Sequence, residues 1–133
     1  MSGATGRLNR LLAVRRIGLR GAAEVFARAV EAHAAATAMA ARIDDLSDAQ
    51  TLAAGTAYGA ALAARAAGAA ALATASARQA ALVDRAGTAL AVARQGLNAR
   101  RASVDAVGGA IERARLALPP PRGEATRGRT PWR

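Results

Sequence analysis

A seven-residue spacing of side chains is the feature of this sequence that most limits its fold. In the second half of the chain, two series of residues seven apart interleave at spacings of four and three. This pattern places both series on one side of a helix and is typical of a coiled-coil seam. The first series is Ser76, Val83, Leu90, Leu97, Val104, Ile111 and Leu118, and the second is Leu72, Gln79, Ala86, Ala93, Arg100, Val107 and Ala114.

The composition offers no other core for this helix to cover. The 133 residues include 42 alanines but one residue each of Phe, Tyr and Trp. The alternative interpretation of the repeat is one amphipathic helix on a globular core, but alanine buries too little apolar area to build such a core. Alanine is instead the strongest helix former, and the four prolines all lie at position 119 or later. The sequence therefore predicts an all-α fold.

A weaker repeat in the first half predicts a second helix that pairs with the first. Small side chains dominate its middle, so this seam buries little area. Together the two repeats predict an antiparallel two-helix coiled-coil hairpin over residues 1–118. The predicted seam of the first half is Leu8, Leu11, Arg15, Gly18, Ala22, Val25, Ala29, Ala32, Ala36, Met39, Ile43 and Leu46.

Polar and glycine residues between the two repeats predict the reversal of the chain. Ser47 or Asp48 is a suitable cap for a new helix, and Gly55 and Gly59 permit a tight turn. We predict helix one at about 7–46, a turn within 47–59 and helix two at about 60–118. The prolines from Pro119 onward end the second helix, and residues 119–133 are predicted to form a disordered tail.

The position of the turn decides how far helix two extends beyond helix one. A turn near residue 50 would leave an overhang of roughly 24 residues, which is about 35 Å long at 1.5 Å per residue. That overhang would carry Val104, Val107 and Ile111 as an exposed apolar seam, which is typical of a partner-binding surface. A turn near residue 59 would shorten the overhang, and the sequence does not choose between the two positions.

Positive charge is concentrated near the two termini. The net charge is +10, and residues 1–20 hold five arginines and no acid, whereas residues 21–118 hold ten arginines and eight acids. In a hairpin the terminal arginines meet at one end of the helix pair. There they can attract an acidic protein surface or the phosphates of nucleic acid. The alternative is that they only keep an alanine-rich helix pair soluble. The basic candidates for partner binding are Arg7, Arg10, Arg15, Arg16, Arg20, Arg100 and Arg101.

The sequence does not assemble a catalytic or metal site. It has no Cys, and its only histidine, His33, is predicted to lie on a solvated flank. Asp44, Asp45 and Asp48 lack the glycine and distal glutamate of a calcium loop and are better explained as helix caps. We expect no enzymatic activity and no cofactor. The longest uncharged run, 16 residues from Ala49 to Ala64, predicts no membrane span, so the default location is cytoplasmic.

The N-terminal segment and the second helix resemble a known family. Residues 8–17, with the sequence LNRLLAVRRI, and the small-residue heptads that follow resemble the FliJ family of flagellar export proteins. The segment from Ala99-Arg100-Arg101 to Ala114 is similar to the C-terminal helix of that family. The resemblance covers residues 7–118.

The resemblance implies a non-enzymatic stalk or adaptor of the flagellar type III export apparatus, cytoplasmic or peripheral at the inner membrane. Members form a two-helix antiparallel coiled coil, and the end with both termini enters the pore of the export ATPase ring. They also contact the export gate and escort substrate chaperones. The tyrosines that serve the gate contact would fall near Leu46 and Gln50, where this chain differs. The gate contact is therefore the least supported of these expectations.

Three other functions stay open. Stalk proteins of secretion injectisomes share the same architecture. A nucleic-acid-binding protein rich in Ala and Arg is disfavoured because residues 21–118 are nearly balanced in charge and aromatic stacking platforms are missing. A phasin-like protein that coats granules should show a broad apolar face with Trp or Phe, whereas this seam is narrow and aliphatic.

Overall fold

Two long helices form the fold. The computed structural model describes residues 3–54 and 59–119. Helix α1 comprises Gly3–Ala54 and helix α2 comprises Ala60–Ala117. The two helices pack against each other as an antiparallel hairpin, which confirms the predicted fold class. The predicted tail beyond Pro119 lies outside the described residues.

Helix α1 is longer than the predicted range of 7–46. Ser47 and Asp48, the expected caps of a new helix, lie inside α1, and the Ser47 carbonyl accepts a hydrogen bond from Thr51 Oγ1 at 3.0 Å. Polar side chains of this kind are tolerated in a helix interior when they bond back to the preceding turn or face solvent. Helix α2 begins at residue 60, as predicted, and ends one residue before the predicted 118.

The reversal requires glycine at Gly59, which adopts a φ of +65°. Residues with a side chain avoid this left-handed region, whereas glycine enters it freely. The Gly59 carbonyl then accepts the Ala63 amide at 3.1 Å, which starts the first turn of α2. Because α1 continues to Ala54, the later of the two turn positions is correct and a turn near residue 50 is wrong.

Contacts between the helices divide the chain into two compact units. Among the described residues, the turn unit comprises 20–54 and 59–99, and the terminal unit comprises 3–19 and 100–119. In the turn unit, Gln79 Nε2 donates a hydrogen bond to the Ala36 carbonyl at 2.9 Å. In the terminal unit, the Arg100 side chain lies against Gly18. Each pair is spaced almost evenly about Gly59 in sequence.

The long overhang of helix two is therefore not formed. Helices α1 and α2 contain 52 and 58 residues, so they are nearly equal in length. Within the terminal unit, Ile111 is buried and Val104 and Val107 are half-buried. A lone helix cannot bury a side chain to this degree, so these residues pack on α1. The prediction that they form an exposed seam is wrong.

The predicted seam of α2 is correct. Ala93, Leu97 and Ile111 are its buried members, and the others are half-buried except Arg100 and Leu118, which are exposed. Arg100 is exposed because its long side chain extends out across Gly18. The seven-residue repeat therefore identifies the side of α2 that faces its partner helix.

The seam of α1 differs from the predicted one at five of six alternate positions; the sixth, Gly18, is half-buried as predicted, as is its neighbour Leu19. Starting from Leu8, successive half-buried residues of α1 are four and then three residues apart, whereas the predicted seam residues are three and then four apart. The bulkier Phe26 and His33 turn inward in place of Val25 and Ala32, because a larger side chain fills more of the space beside small residues of α2. The half-buried series is Leu8, Leu12, Arg15, Leu19, Ala22, Phe26, Ala29, His33, Ala36, Ala40, Ile43 and Ser47.

His33 is thus a seam residue, contrary to its predicted place on a solvated flank. It is half-buried, and its Cδ2 and Nε2 atoms lie 3.8 Å from the point where a Cβ would stand on Gly87. Arg94, one heptad further along α2, holds its guanidinium carbon 5.9 Å from the centroid of the Phe26 ring. Gly87 therefore leaves room for the His33 side chain, whereas Phe26 packs beside the long side chain of Arg94.

Two glycines of the turn unit predict opposite responses to alanine. A Cβ on Gly21 would meet nothing within 4 Å, so Gly21→Ala should raise the free energy of unfolding by about 0.5–1 kcal/mol. A Cβ on Gly68 would collide with Gln50 Nε2, which donates to the Arg65 carbonyl at 3.1 Å. Displacing that bond costs about 0.5–1.5 kcal/mol, so Gly68→Ala should give no gain or a loss. Urea unfolding followed by circular dichroism measures both, and a clear gain at Gly68 would contradict the packing described.

Candidate functional site

Arginines dominate the described part of the terminal unit, residues 3–19 and 100–119. This part carries eight arginines against two acids, Asp105 and Glu112. Six of the seven predicted basic residues belong to this unit, and the seventh, Arg20, is the first residue of the turn unit. The cluster consists of Arg7, Arg10, Arg15, Arg16, Arg100, Arg101, Arg113 and Arg115.

The exposed arginines lie on more than one side of the helix pair. Arg16 and Arg101 each directly follow a seam residue. They lie on the same side of the helix pair, because equivalent flanking positions of two antiparallel helices face each other. By the same spacing, Arg7 and Arg113 fall on the opposite flank and Arg10 on the outer face of α1. All five are exposed. The positive charge therefore surrounds this unit.

Two arginines are tied more closely to the seam. Arg15 is half-buried on the α1 seam. The Arg100 guanidinium passes over Gly18, with Nη1 3.2 Å and Cζ 3.6 Å from the point where a Cβ would stand. The missing side chain at Gly18 leaves the space through which Arg100 reaches across α1. A partner would meet these two side chains in more restricted positions than the exposed arginines.

Exposed aliphatic side chains lie among the arginines of α1. Val14 is 64% exposed and Ile17 is 68% exposed. Sequence reasoning did not single out either residue as functional. The available signal was the excess of large apolar residues in segment 8–17, because one seam cannot use Leu11, Leu12, Val14 and Ile17 together. Apolar side chains beside arginines form the kind of surface that protein interfaces use.

The apolar candidates Val104, Val107 and Ile111 have a different place in this site. Ile111 is buried and the two valines are half-buried against α1. In this arrangement they hold the two segments of the terminal unit together. The surface that a partner can reach includes the exposed arginines with Val14 and Ile17 on α1, and the exposed side chains of Leu11, Leu116 and Leu118.

An open groove of about 510 Å³ lies between the helices of the turn unit. Apolar residues including Leu62 and Leu72 line it, together with Asp44 and Gln50. Gln50 Oε1 is buried there and has no hydrogen-bond partner within the described ranges. Those same ranges contain no group of three His, Cys, Asp or Glu residues arranged to hold a metal ion. The polar lining also includes Ser47, Thr51, Arg65 and Ser76.

The length and composition of α2 bear on the expectation that the chain has no membrane span. Across residues 3–54 and 59–119, α2 is the one helix long and apolar enough to cross a membrane, with a mean hydropathy of 1.3 over an 18-residue window. Alanine supplies much of that value. None of that window is buried, unlike the core helices of soluble proteins that pass the same test, and length and composition alone assign no location.

Comparison with known proteins adds no relative. No family model, no curated protein and no solved structure matches this chain.

Proposed function

We propose that this chain is a non-enzymatic stalk or adaptor of a type III protein export apparatus, with its terminal unit bound in the ring of the export ATPase. The observation that carries the proposal is the terminal unit itself, a two-helix unit with exposed arginines on both flanks and on the outer face of α1. We name the flagellar apparatus because residues 7–118 resemble the FliJ family; stalk proteins of injectisomes share the same architecture.

The distribution of charge favours a partner that encloses the terminal unit. A flat protein surface would contact one side and leave the arginines on the other sides in water, where they add little affinity. A ring with acidic groups facing its pore would meet Arg7, Arg10, Arg16 and Arg101 at the same time. Complementary charge of this kind raises the rate of association and selects the correct partner.

Val14 and Ile17 favour a protein partner over nucleic acid. Binding to nucleic acid phosphates depends on charge and counterion release, which exposed aliphatic side chains do not assist. In a protein interface, buried aliphatic residues contribute through apolar area at about 25 cal/mol per Å². Nucleic acid remains the second candidate because eight arginines in one unit would bind phosphate without further help.

The remaining parts of the proposal follow from the resemblance. The chain would act in the cytoplasm or at the inner membrane, where it would help deliver export substrates and contact the export gate. It would need no cofactor or small-molecule substrate.

A binding assay with purified flagellar export ATPase from the same organism tests the proposal. The full chain, freed of nucleic acid, should be retained by the ATPase at low and moderate salt and should raise its rate of ATP hydrolysis. Val14→Ser with Ile17→Ser should weaken retention about tenfold, equivalent to about 1.4 kcal/mol. Val92→Ser changes an exposed valine of the turn unit and serves as the matched control, because it should bind like the unchanged chain.

Charge reversal separates the two candidate functions further. Arg16→Glu with Arg101→Glu should abolish retention by the ATPase, and Val14→Ser with Ile17→Ser should leave any affinity for DNA unchanged. The proposal would be wrong if the chain did not bind the ATPase and instead bound duplex DNA with a steep dependence on salt.

A further inference from the structure

Helix α1 of the turn unit has a second apolar stripe beside its seam. Val25, Ala32, Met39 and Leu46 follow at intervals of seven, and these are the residues that the inward rotation of Phe26 and His33 leaves outside. The three large side chains remain between 47% and 57% exposed. Seven-residue spacing keeps the whole stripe on one flank of the helix.

A matching stripe lies on α2. Leu82, Ala89 and Gly96 also follow at intervals of seven and are exposed, and Leu82 is the large residue among them. The flank of α2 opposite to Leu82 carries Gly87 and Arg94. This flank lies beside the Phe26 side of α1, because Gly87 is next to His33 and Arg94 lies over Phe26. The Leu82 stripe must therefore lie beside the Met39 stripe. We name these seven residues together the apolar flank.

The apolar flank has no charged residue. In a hairpin that stands alone, the positions beside the seam are commonly charged, because they face water and can form ion pairs between helices. The opposite flank of the turn unit follows that rule in part, since it includes Asp44 and Arg94. The apolar flank instead combines exposed Val, Met and Leu side chains with small residues, a surface on which the apolar face of a further helix can pack.

Arginines border the apolar flank on both helices. Arg28 and Arg42 lie next to the stripe of α1, and Arg78 and Arg85 lie next to the stripe of α2, by their spacing from the stripe residues. All four are exposed. Arg28 pairs with Glu24 at 3.8 Å, but both side chains are mostly exposed, so this pair is worth little and can exchange partners.

We propose that the apolar flank is a docking surface for an amphipathic helix whose apolar stripe is bordered by acidic side chains. The apolar stripe would cover Val25, Met39 and Leu82, and the acidic borders would meet the four arginines. A second copy of this chain fits less well, because docking by the same face would bring its arginines against these arginines. The inference goes beyond the proposed function and uses only residues of the turn unit.

A synthetic peptide provides the probe. It has four heptads with Leu at the two seam positions and Glu at the two flanking positions, and a matched peptide has Lys in place of Glu. Fluorescence anisotropy of the labelled peptides, titrated with the full chain at low salt, measures binding. The Glu peptide should bind at least tenfold more tightly than the Lys peptide.

Variants of the chain locate the binding site. Met39→Ser with Leu82→Ser should weaken binding of the Glu peptide at least tenfold without loss of helicity, since both side chains are exposed. Val30→Ser removes an exposed valine from the opposite flank and is the matched control, which should bind normally. Arg28→Glu with Arg85→Glu should shift the preference toward the Lys peptide.

Four results would overturn the proposal. They are no binding of either peptide, equal binding of both peptides, equal loss of binding in the Val30→Ser control, and a dimer of the chain that Met39→Ser with Leu82→Ser converts to a monomer. The last result would identify a second copy as the occupant of the apolar flank. Val14 and Ile17 stay intact throughout, so failure here is distinct from failure to bind the export ATPase.

Discussion

Leu97→Asp is expected to remove most of the helical signal of the chain at room temperature. Leu97 is the most buried side chain of the described residues, at 6% exposure. Truncating a buried Leu costs about 2–5 kcal/mol, and an unpaired carboxylate in its place adds a further desolvation cost. Because small residues fill much of the remaining seam, few other contacts can offset that loss. Circular dichroism during thermal unfolding measures it.

Leu82→Asp is the matched control for this substitution. It places the same residue on the same helix, but Leu82 is 48% exposed and lies outside the seam. The cost should stay below about 1 kcal/mol, which is the range of helix propensity. Equal destabilisation by the two substitutions would contradict the assigned side of α2.

Val104→Asp combined with Ile111→Asp is expected to unfold the terminal unit. Ile111 is buried and Val104 is half-buried against α1, so both carboxylates would be forced between the helices. The helical signal should fall and the amide protons of residues 3–19 should lose protection from exchange. The proposed binding to the export ATPase would then be lost together with the fold.

The exposed pair on α1 gives the contrast. Val14→Asp with Ile17→Asp also adds two carboxylates to the terminal unit, but these side chains point into solvent. Helicity should be kept while binding of the ATPase is lost. If Val104→Asp with Ile111→Asp instead kept full helicity, those residues would not pack on α1 and an exposed overhang would again be the better description.

The second half of the chain was predictable because its seam contains large aliphatic residues at strict intervals. Leu90, Leu97, Val104 and Ile111 have no competing arrangement on α2, so the repeat alone fixes which side faces the partner. The all-α fold followed from the alanine content and from the absence of proline before Pro119. Both features act through local helix propensity, which can be read directly from sequence.

The orientation of α1 was not predictable in the same way. Two apolar series share Ala22, Ala29 and Ala36, and the series with Val25, Met39 and Leu46 is the more uniform in sequence. The structure selects the series with Phe26 and His33: Gly87 of α2 makes room for His33, and Arg94 of α2 lies over the Phe26 ring. That choice depends on the residues opposite, which a single helix does not contain.

The turn and the candidate site illustrate the same limit. Helix α1 continues past Asp44, Ser47 and Asp48, although these residue types often cap helices. Such residues also occur inside helices, so their presence alone does not locate a helix end. The arginines of the site could be found by counting charges. Val14 and Ile17 could not be assigned to the surface until the seam of α1 was known.

Disulfide formation between His33→Cys and Gly87→Cys tests the central claim, that α1 and α2 pair in one hairpin with the His33 side of α1 facing α2. The chain has no cysteine of its own, so the introduced pair is the only source of thiols. Mild oxidation should link the two within one chain, whereas the matched pair Ala32→Cys and Gly87→Cys should react slowly, because Ala32 lies on the other flank. Faster linkage of Ala32→Cys, or linkage only between chains, would contradict the account.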